Sequence, residues 1–490
     1  MKILGILEKK KDFWFLLFTS IFFFLLRLPS LFEPYWYGDE GIYQVLGMGI
    51  REGRLLYQGV WDNKPPLLYL LYAIFSSDQF TVRLISLIFG LFTVFIFFLL
   101  AKKLFNKDKI VYLTTAIFAF LFGLPLLEGN IANAENFMMP LILLAGLLIY
   151  KLAESDPAKF QISNLKFKIF LAGLLLSIAF LFKIVAIFDF MAFFVFIFFI
   201  IAIEKKPLKT IIYNYPPFLF GFFLPILLTS LFFLFNGIFP DFLKATFGQN
   251  IGYVGYGNKF IIPQGLLLLK LFLLGLFLIL LFIKKRVTSK PTIFILVWFA
   301  FSLFNAFFSQ RPYTHYLLVL LPSFILFLGL FMSSVRKRTY IASLLFLIII
   351  LSKNFTVYGK TPFYYQNFLS FLLGNKDASS YQAFFDRNTP KDYLLASFIK
   401  SHTNQKDSIF IWGNNAQVYK LVNKLPPGRF TVLYHITASE KYLKETKEAV
   451  INSNPKYIIQ ISKKDPIFLP LNNYSQRINI GGYQIYERIF

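Results

Sequence analysis

The chain of 490 residues contains no cysteine and only three histidines. Without cysteine there is no disulfide framework, no thiolate metal site and no thiol nucleophile. Acidic residues are scarce, 25 Asp and Glu against 50 Lys and Arg, and charged side chains are 15% of the whole. Together with the hydrophobic content below, so low a charged fraction excludes intrinsic disorder. No internal repeat and no low-complexity tract interrupts the sequence.

What fills the chain instead is apolar. It is 57% hydrophobic and holds 66 Phe, with a mean hydropathy of +0.61. A soluble chain of this length would form roughly three domains. Here the apolar residues arrive in long runs separated by short charged loops, and runs of about 18 or more read as membrane spans. Candidate spans are Phe13–Phe32, Thr81–Leu100, Ile110–Leu127, Phe137–Leu152, Phe167–Phe182, Ile184–Ile203, Ile211–Phe235, Gly265–Ile283, Thr292–Phe308, His315–Met332 and Tyr340–Leu351. The first lacks a small-residue cleavage pattern and follows Lys9–Lys11, so it reads as a retained span and not a signal peptide.

The net charge of +25 first suggests a nucleic-acid partner. Its distribution says otherwise. Lys and Arg cluster at Lys2–Lys11, Lys102–Lys109, Lys151–Lys168, Lys205–Lys209, Lys284–Lys290 and Arg336–Arg338. The short alternate loops hold Arg51, Arg54, Lys64, Lys244, Lys259 and Arg311, and a tight hairpin holds Lys183. The positive-inside rule then puts the N-terminus and the basic clusters in the cytoplasm, and the C-terminal tail outside. Parity requires a net odd number of crossings between Pro65 and Leu100. Pro65–Ser77 would span only about 20 Å as a helix, against a hydrocarbon core of about 30 Å. It is expected to dip into the outer leaflet, leaving about eleven full crossings in this α-helical polytopic membrane protein.

Two domains are expected: 1–352 in the membrane and an extracytoplasmic α/β domain over 353–490. In the latter, Ser408–Trp412, Lys456–Ile461 and Tyr483–Ile489 read as strands, and Lys391–His402, Asn415–Asn423 and Ala438–Ser453 as helices.

On this topology the polar residues at the membrane boundary gather on the outer loops. Ionisable groups at depth are functional candidates by default. Asp39 and Glu40 open a helix to about Arg51, whose apolar Ile42, Val45, Leu46 and Ile50 suit an interfacial position. Both acids can also be read as favouring the positive end of that helix. Lys64, with Pro65 and Pro66 after it, either snorkels to headgroups or binds an anion. The second outer loop carries Glu128 and Glu135 and no basic residue. Lys183 lies in a tight outer hairpin, with Asp189 as its simplest structural partner. Arg311, Tyr313, His315 and Tyr316 precede a later span, and an Arg fork suits phosphate. Arg27, Arg83 and Lys270 lie within or at the ends of spans and have no assigned function, structural pairing being the expectation. A transporter would place its polar site near the midplane on broken helices; peripheral polar residues favour chemistry on a lipid headgroup.

The stretch from Gly38-Asp39-Glu40 to Lys64-Pro65-Pro66 resembles the first outer loop of the GT-C glycosyltransferases. It is closest to the protein O-mannosyltransferase and lipid A aminoarabinose transferase group, including glycosyltransferase family 39-like and lipid A galacturonosyltransferase-like members. Ala134-Glu135-Asn136-Phe137, Phe182-Lys183, His315-Tyr316 and Leu321-Pro322 match as well. Two departures stand out: Asn63 where some relatives carry an acid, with Asp62 one step earlier, and Glu135 where some carry Asp.

The resemblance implies a hexosyl- or pentosyltransferase using a polyprenyl-phosphate sugar. The acceptor would be a lipid, glycan or protein hydroxyl on the extracytoplasmic face, and membrane lipids rather than nucleic acid would be the surroundings. It further implies inverting displacement with Asp39 as base. Glu40 would orient the acceptor or hold a divalent metal, and it is the alternative to Asp39 as base. Glu135, with Asp39, would orient the acceptor or hold a divalent metal, the metal requirement being unknown. Lys64, Lys183 and Arg311 would bind the donor phosphate, with His315, Tyr316 and Tyr57 as donor contacts. Two other classes compete: a lipid-linked sugar flippase or polysaccharide exporter, and a polymer ligase using a diphosphate-linked donor.

Overall fold

In hydrocarbon each backbone N–H and C=O must be satisfied within the chain, so long apolar runs become helices. The computed structural model describes residues 10–154, 163–204, 209–249, 263–308, 313–333, 348–353, 355, 357–469 and 471–489. The apolar part contains α1 (Lys10–Arg27), α2 (Gly38–Arg51), α3 (Pro66–Ile74), α4 (Gln79–Leu104), α5 (Asp108–Gly123), α6 (Ala134–Glu154) and α7 (Ser163–Phe182). It continues with α8 (Ile187–Ile203), α9 (Lys209–Phe235), α10 (Phe239–Leu243), α11 (Pro263–Ile283), α12 (Lys290–Ala306) and α13 (Tyr316–Ser333). After it come α14 (Thr361–Leu372), α15 (Ala378–Phe385), α16 (Thr389–His402), β1 (Ile409–Trp412), α17 (Ala416–Val422), α18 (Leu433–Ile436), α19 (Glu440–Ser453), β2 (Tyr457–Gln460), β3 (Tyr474–Ile480) and β4 (Tyr483–Arg488).

Among the described residues, seven helices are long and apolar enough to cross a bilayer by length and composition. They are Lys10–Phe32, Gln79–Leu104, Ala134–Lys151, Ile184–Ile203, Tyr215–Phe235, Leu266–Ile283 and Tyr316–Ser333. Three further expected spans are helices too: α5, α7 and the shorter apolar α12. The expected span Tyr340–Leu351 lies largely outside the described residues.

Contacts divide the chain into two compact units. This division is drawn differently from a linear cut after residue 352. The first unit is Met1–Leu28, Ser86–Asn236 and Gly248–Thr361; the second is Pro29–Ile85, Gly237–Phe247 and Pro362–Phe490.

In the first unit α6 is the most enclosed of the seven spans, 78% buried, whereas α11 is 6% buried. Its apolar surface is the kind that lipid covers. Helices α7 and α9 approach closely at two glycines. A Cβ on Gly173 would lie 2.2 Å from the Phe218 carbonyl oxygen, and one on Gly221 2.2 Å from that of Phe170. Small residues at such crossings let helix backbones meet. Phenylalanines fill the rest, as in the stacked pairs Phe97–Phe118 and Phe190–Phe222, with centroids 4.2 and 3.9 Å apart. Buried Asp189 accepts a 2.7 Å hydrogen bond from Trp298 Nε1, and the expected partner Lys183 instead pairs with Glu135. Lys270 Nζ donates to the Phe307 carbonyl at 2.6 Å.

In the second unit α2 is buried from Glu40 to Gly49. Helix α3 packs on it from one side and α17 also meets it. Two glycines permit this. A Cβ on Gly41 would stand 2.7 Å from Gln417 N, and one on Gly47 2.9 Å from Ala73 N. Helix α3 has nine residues, about 14 Å at the helical rise, too short to cross.

The C-terminal sheet runs in the order β1-β2-β4-β3. β1 and β2 are parallel, in register Ile409↔Tyr457, while β4 is antiparallel to both β2 and β3. A parallel pair needs a crossover, and α17 to α19 supply it. The expected strands and helices appear within a few residues of their sequence bounds. Strand β3 and helices α14 and α15 were not anticipated.

Candidate active site

The first constellation is built in the second unit from the start of α2, the loop ahead of α3 and residues near α18. Tyr37 precedes α2 in extended conformation and makes no side-chain cap. Asp39 and Glu40 follow on neighbouring helical positions, about 100° apart, so their side chains take different directions.

Glu40 turns inward and is 1% exposed. Arg83 grips it bidentately, Nε to Oε1 at 3.1 Å and Nη2 to Oε2 at 2.5 Å. Arg83 Nη1 also meets Glu33 Oε2 at 2.8 Å and donates to the Ser30 carbonyl at 2.8 Å. Glu33 in turn accepts from Tyr364 OH at 2.6 Å and Trp36 Nε1 at 2.7 Å. This network explains Arg83: it lets two carboxylates and a guanidinium share one buried place. Glu40 is committed to it.

Asp39 turns outward, its side chain 38% exposed. Oδ2 accepts a hydrogen bond from Tyr43 OH at 3.1 Å, the residue one helical turn on. Lys64 Nζ lies 3.7 Å from Asp39 Oδ2, 3.4 Å from Asp62 Oδ2 and 4.8 Å from the centre of the Tyr43 ring. Burial, and then the charges of Asp39 and Asp62, push the Tyr43 phenol well above its ordinary pKa. It stays protonated and keeps donating.

The backbone of Lys64 is held from both sides. Its N–H donates to Tyr69 OH at 3.0 Å, and its C=O accepts from Tyr57 OH at 2.8 Å. Tyr69 OH then donates to Asp62 Oδ2 at 2.8 Å. Tyr57 is fully buried and sits at φ +73°, a region that costs a bulky residue free energy unless its surroundings hold it there. Its hydroxyl thereby supports the Lys64 carbonyl. Pro65 caps α3 in extended conformation and Pro66 begins the helix, so the Lys-Pro-Pro run fixes where the lysine stands.

Asp62 is 1% exposed. His435 Nε2 lies 3.6 Å from its Oδ1, and the ring packs edge-on to Trp61 at 4.8 Å. Burial lowers the His435 pKa to about 4, against the pull of Asp62. The ring is neutral at pH 7, and 3.6 Å is too long for a hydrogen bond.

The second constellation lies in the first unit. Glu135, in the first turn of α6, is 1% exposed and pairs with Lys183. Lys183 is the extended residue between α7 and a short 3₁₀ turn, Ile184–Ala186. Its Nζ lies 4.8 Å from the centre of the Tyr316 ring. His315 Nδ1 is 3.1 Å from Glu128 Oε2. A cavity beside Glu135 is otherwise apolar, with Met138, Met139, Ile142, Leu143 and Trp298 in its wall. Thus Asp39, Glu40, Lys64 and Tyr57 come together in one unit, and Glu135, Lys183, His315 and Tyr316 in the other. Arg311 lies outside the described residues.

A family model described as dolichyl-phosphate-mannose-protein mannosyltransferase matches residues 64–231. Among solved structures, ArnT from Cupriavidus metallidurans in the apo state superposes with a TM-score of 0.55 at 13% identity, over 98% of each chain. The same protein bound to undecaprenyl phosphate gives 0.54 at 13% identity, over 95% of this chain and 97% of that one. The chain has the GT-C fold. The Archaeoglobus fulgidus oligosaccharyltransferase in the apo form gives 0.51 at 13% identity, over 92% of this chain and 70% of the other. No curated protein matches the sequence.

The family match begins at Lys64 and takes in Glu135 and Lys183, so on the GT-C fold both constellations touch the matched segment. Among the described residues no group of three or more His, Asp and Glu could hold a metal ion. At Asp39 an ammonium, Lys64 Nζ, lies 3.7 Å from the carboxylate. Sequence reasoning missed Tyr43 and Tyr69. Their signal was visible as aromatic residues four places after Asp39 and five after Lys64, the offsets at which they reach those groups.

Proposed function

We propose that the chain is an integral-membrane glycosyltransferase. It moves a sugar from a polyprenyl-phosphate carrier to an acceptor hydroxyl on the extracytoplasmic face, the N-terminus being cytoplasmic. The reading is supported by the GT-C fold, by the family match and by the undecaprenyl phosphate bound to ArnT. One observation carries it: Asp39, half exposed, with Lys64 Nζ 3.7 Å away on a buried tyrosine and carboxylate platform.

In this reading the acceptor oxygen attacks the anomeric carbon while the bond from that carbon to the phosphate oxygen breaks. The phosphate leaves with the electron pair, and the hydroxyl proton passes to Asp39. Lys64 neutralises the departing phosphate. A phosphate that takes Lys64 draws it from Asp39, which raises the basicity of that carboxylate toward the proton. The resemblance carries over Lys183 and Arg311 as phosphate cations, Glu135 as an acceptor or metal residue, and His315 and Tyr316 as donor contacts. Glu40 is a support for α2, and no step is routed through a metal.

The test is an assay of membranes with radiolabelled donors. Transfer is expected from a polyprenyl-phosphate sugar, with inversion at the anomeric carbon. Lys64→Met is expected to raise the donor KM about tenfold or more, as loss of a charged contact does. Transfer from a nucleotide sugar or diphosphate-linked donor alone would overturn the reading.

A further inference from the structure

The loop that presents Lys64 is held from the C-terminal residues of the second unit. Arg429 Nη1 donates to the Tyr57 carbonyl at 2.8 Å, and the Arg429 carbonyl accepts from the Trp61 N–H at 3.0 Å. Side chain and backbone of one residue thus grip both ends of the turn 57–61. The guanidinium is itself oriented. Nε and Nη2 meet the Glu445 carboxylate at 2.7 and 2.9 Å, and Nη1 lies 3.4 Å from Asp241 Oδ1. One residue of the loop answers in kind: Arg54 Nη1 donates to the Pro426 carbonyl at 2.9 Å.

The clamp falls where the backbone needs one. Tyr57 occupies the left-handed region at φ +73°, and it is this residue whose hydroxyl supports the Lys64 carbonyl. A guanidinium on the Tyr57 carbonyl and a charged pair behind the guanidinium hold the strained peptide. Only a planar fork can serve the carbonyl and the carboxylate together.

We infer that Arg429 is a positioning residue for Lys64. The C-terminal portion thereby sets donor affinity without touching the donor. The inference rests on the reading of Lys64 as the donor-phosphate cation, and two independent readouts separate the claims. The first is amide hydrogen exchange of the full-length protein in nanodiscs. The second is steady-state transfer from a radiolabelled polyprenyl-phosphate sugar.

Arg429→Ala is expected to speed exchange of the 57–64 amides about tenfold while leaving β1 and β2 protected. It is expected to raise donor KM about tenfold, with kcat and acceptor KM within about threefold. Arg429→Lys keeps the charge and loses the fork, so it should shift both readouts in the same direction by less. It carries the test if the alanine variant fails to accumulate. Unchanged exchange at 57–64 would overturn the clamp whatever the chemistry. Faster exchange with an unchanged donor KM would overturn the link to Lys64 and count against its phosphate role. Equal losses in kcat and both KM values would mark Arg429 as merely structural.

Discussion

Two neighbouring carboxylates, Asp39 and Glu40, have opposite fates because one helical step separates them. Glu40 is locked to Arg83 with Glu33, and Asp39 is left toward solvent. Removing one partner of a buried ion pair leaves an uncompensated charge and costs about 3–5 kcal/mol. Arg83→Met should therefore lower the unfolding temperature sharply, and activity should fall only with the folded fraction. A variant that unfolds normally would contradict this. The sequence alone suggested structural pairing for Arg83 without naming partners, since a lone arginine near the end of a span shows none until the chain folds Glu33 and Glu40 against it.

His435 and Asp392 tie stability to pH in opposite senses. The His435 pKa falls from 6.5 to about 4 on burial. Between those values the unfolded chain binds a proton that the folded chain does not, so stability drops on acidification by up to about 3 kcal/mol. Burial raises Asp392 from 3.8 to about 6. There the folded chain holds the proton that the unfolded chain releases, so acidification from pH 6 to 3.8 stabilises. The two offset each other between pH 4 and 6. His435→Phe should remove the destabilising part, and the difference in unfolding temperature between variant and parent should grow from pH 7 to 4.5. A difference that stays constant would refute the shift.

At the scale of elements, α2 shows what hydrophobic pattern can and cannot say. Its apolar spacing showed a helix with one apolar face. The burial of its other side depends on Gly41 and Gly47, where α17 and α3 come within reach. Gly41→Val would drive a side chain into the Gln417 backbone, at a cost of about 1–3 kcal/mol. The expected result is loosened protection of 416–422 by hydrogen exchange; native protection there would show that α17 yields without cost. The spans were legible because each is a long apolar run, with basic clusters at alternate loops. Strand β3 was not, because Tyr474–Ile480 is largely polar and finds its place only by pairing with β4.

At the scale of the molecule, the excess of positive charge became a topology signal once its position was read. The same reading sent attention to the loops where basic residues are few, and Asp39, Lys64 and Glu135 lie there. What stayed hidden was long-range: Arg429 and His435 stand more than 350 residues from the loop they meet, and nothing in local spacing links them. The C-terminal residues share a compact unit with Pro29–Ile85, residues that lie more than 270 positions earlier in the sequence.

The central claim is that Asp39 removes the acceptor proton. The most direct measurement is the rate of transfer from a radiolabelled polyprenyl-phosphate sugar by purified Asp39→Asn protein, beside its unfolding temperature and donor binding. General-base catalysis contributes roughly 10²–10⁴-fold. The account predicts a loss of that size in kcat, with stability unchanged and donor binding retained. An Asp39→Asn protein that transfers sugar at the parent rate would contradict it.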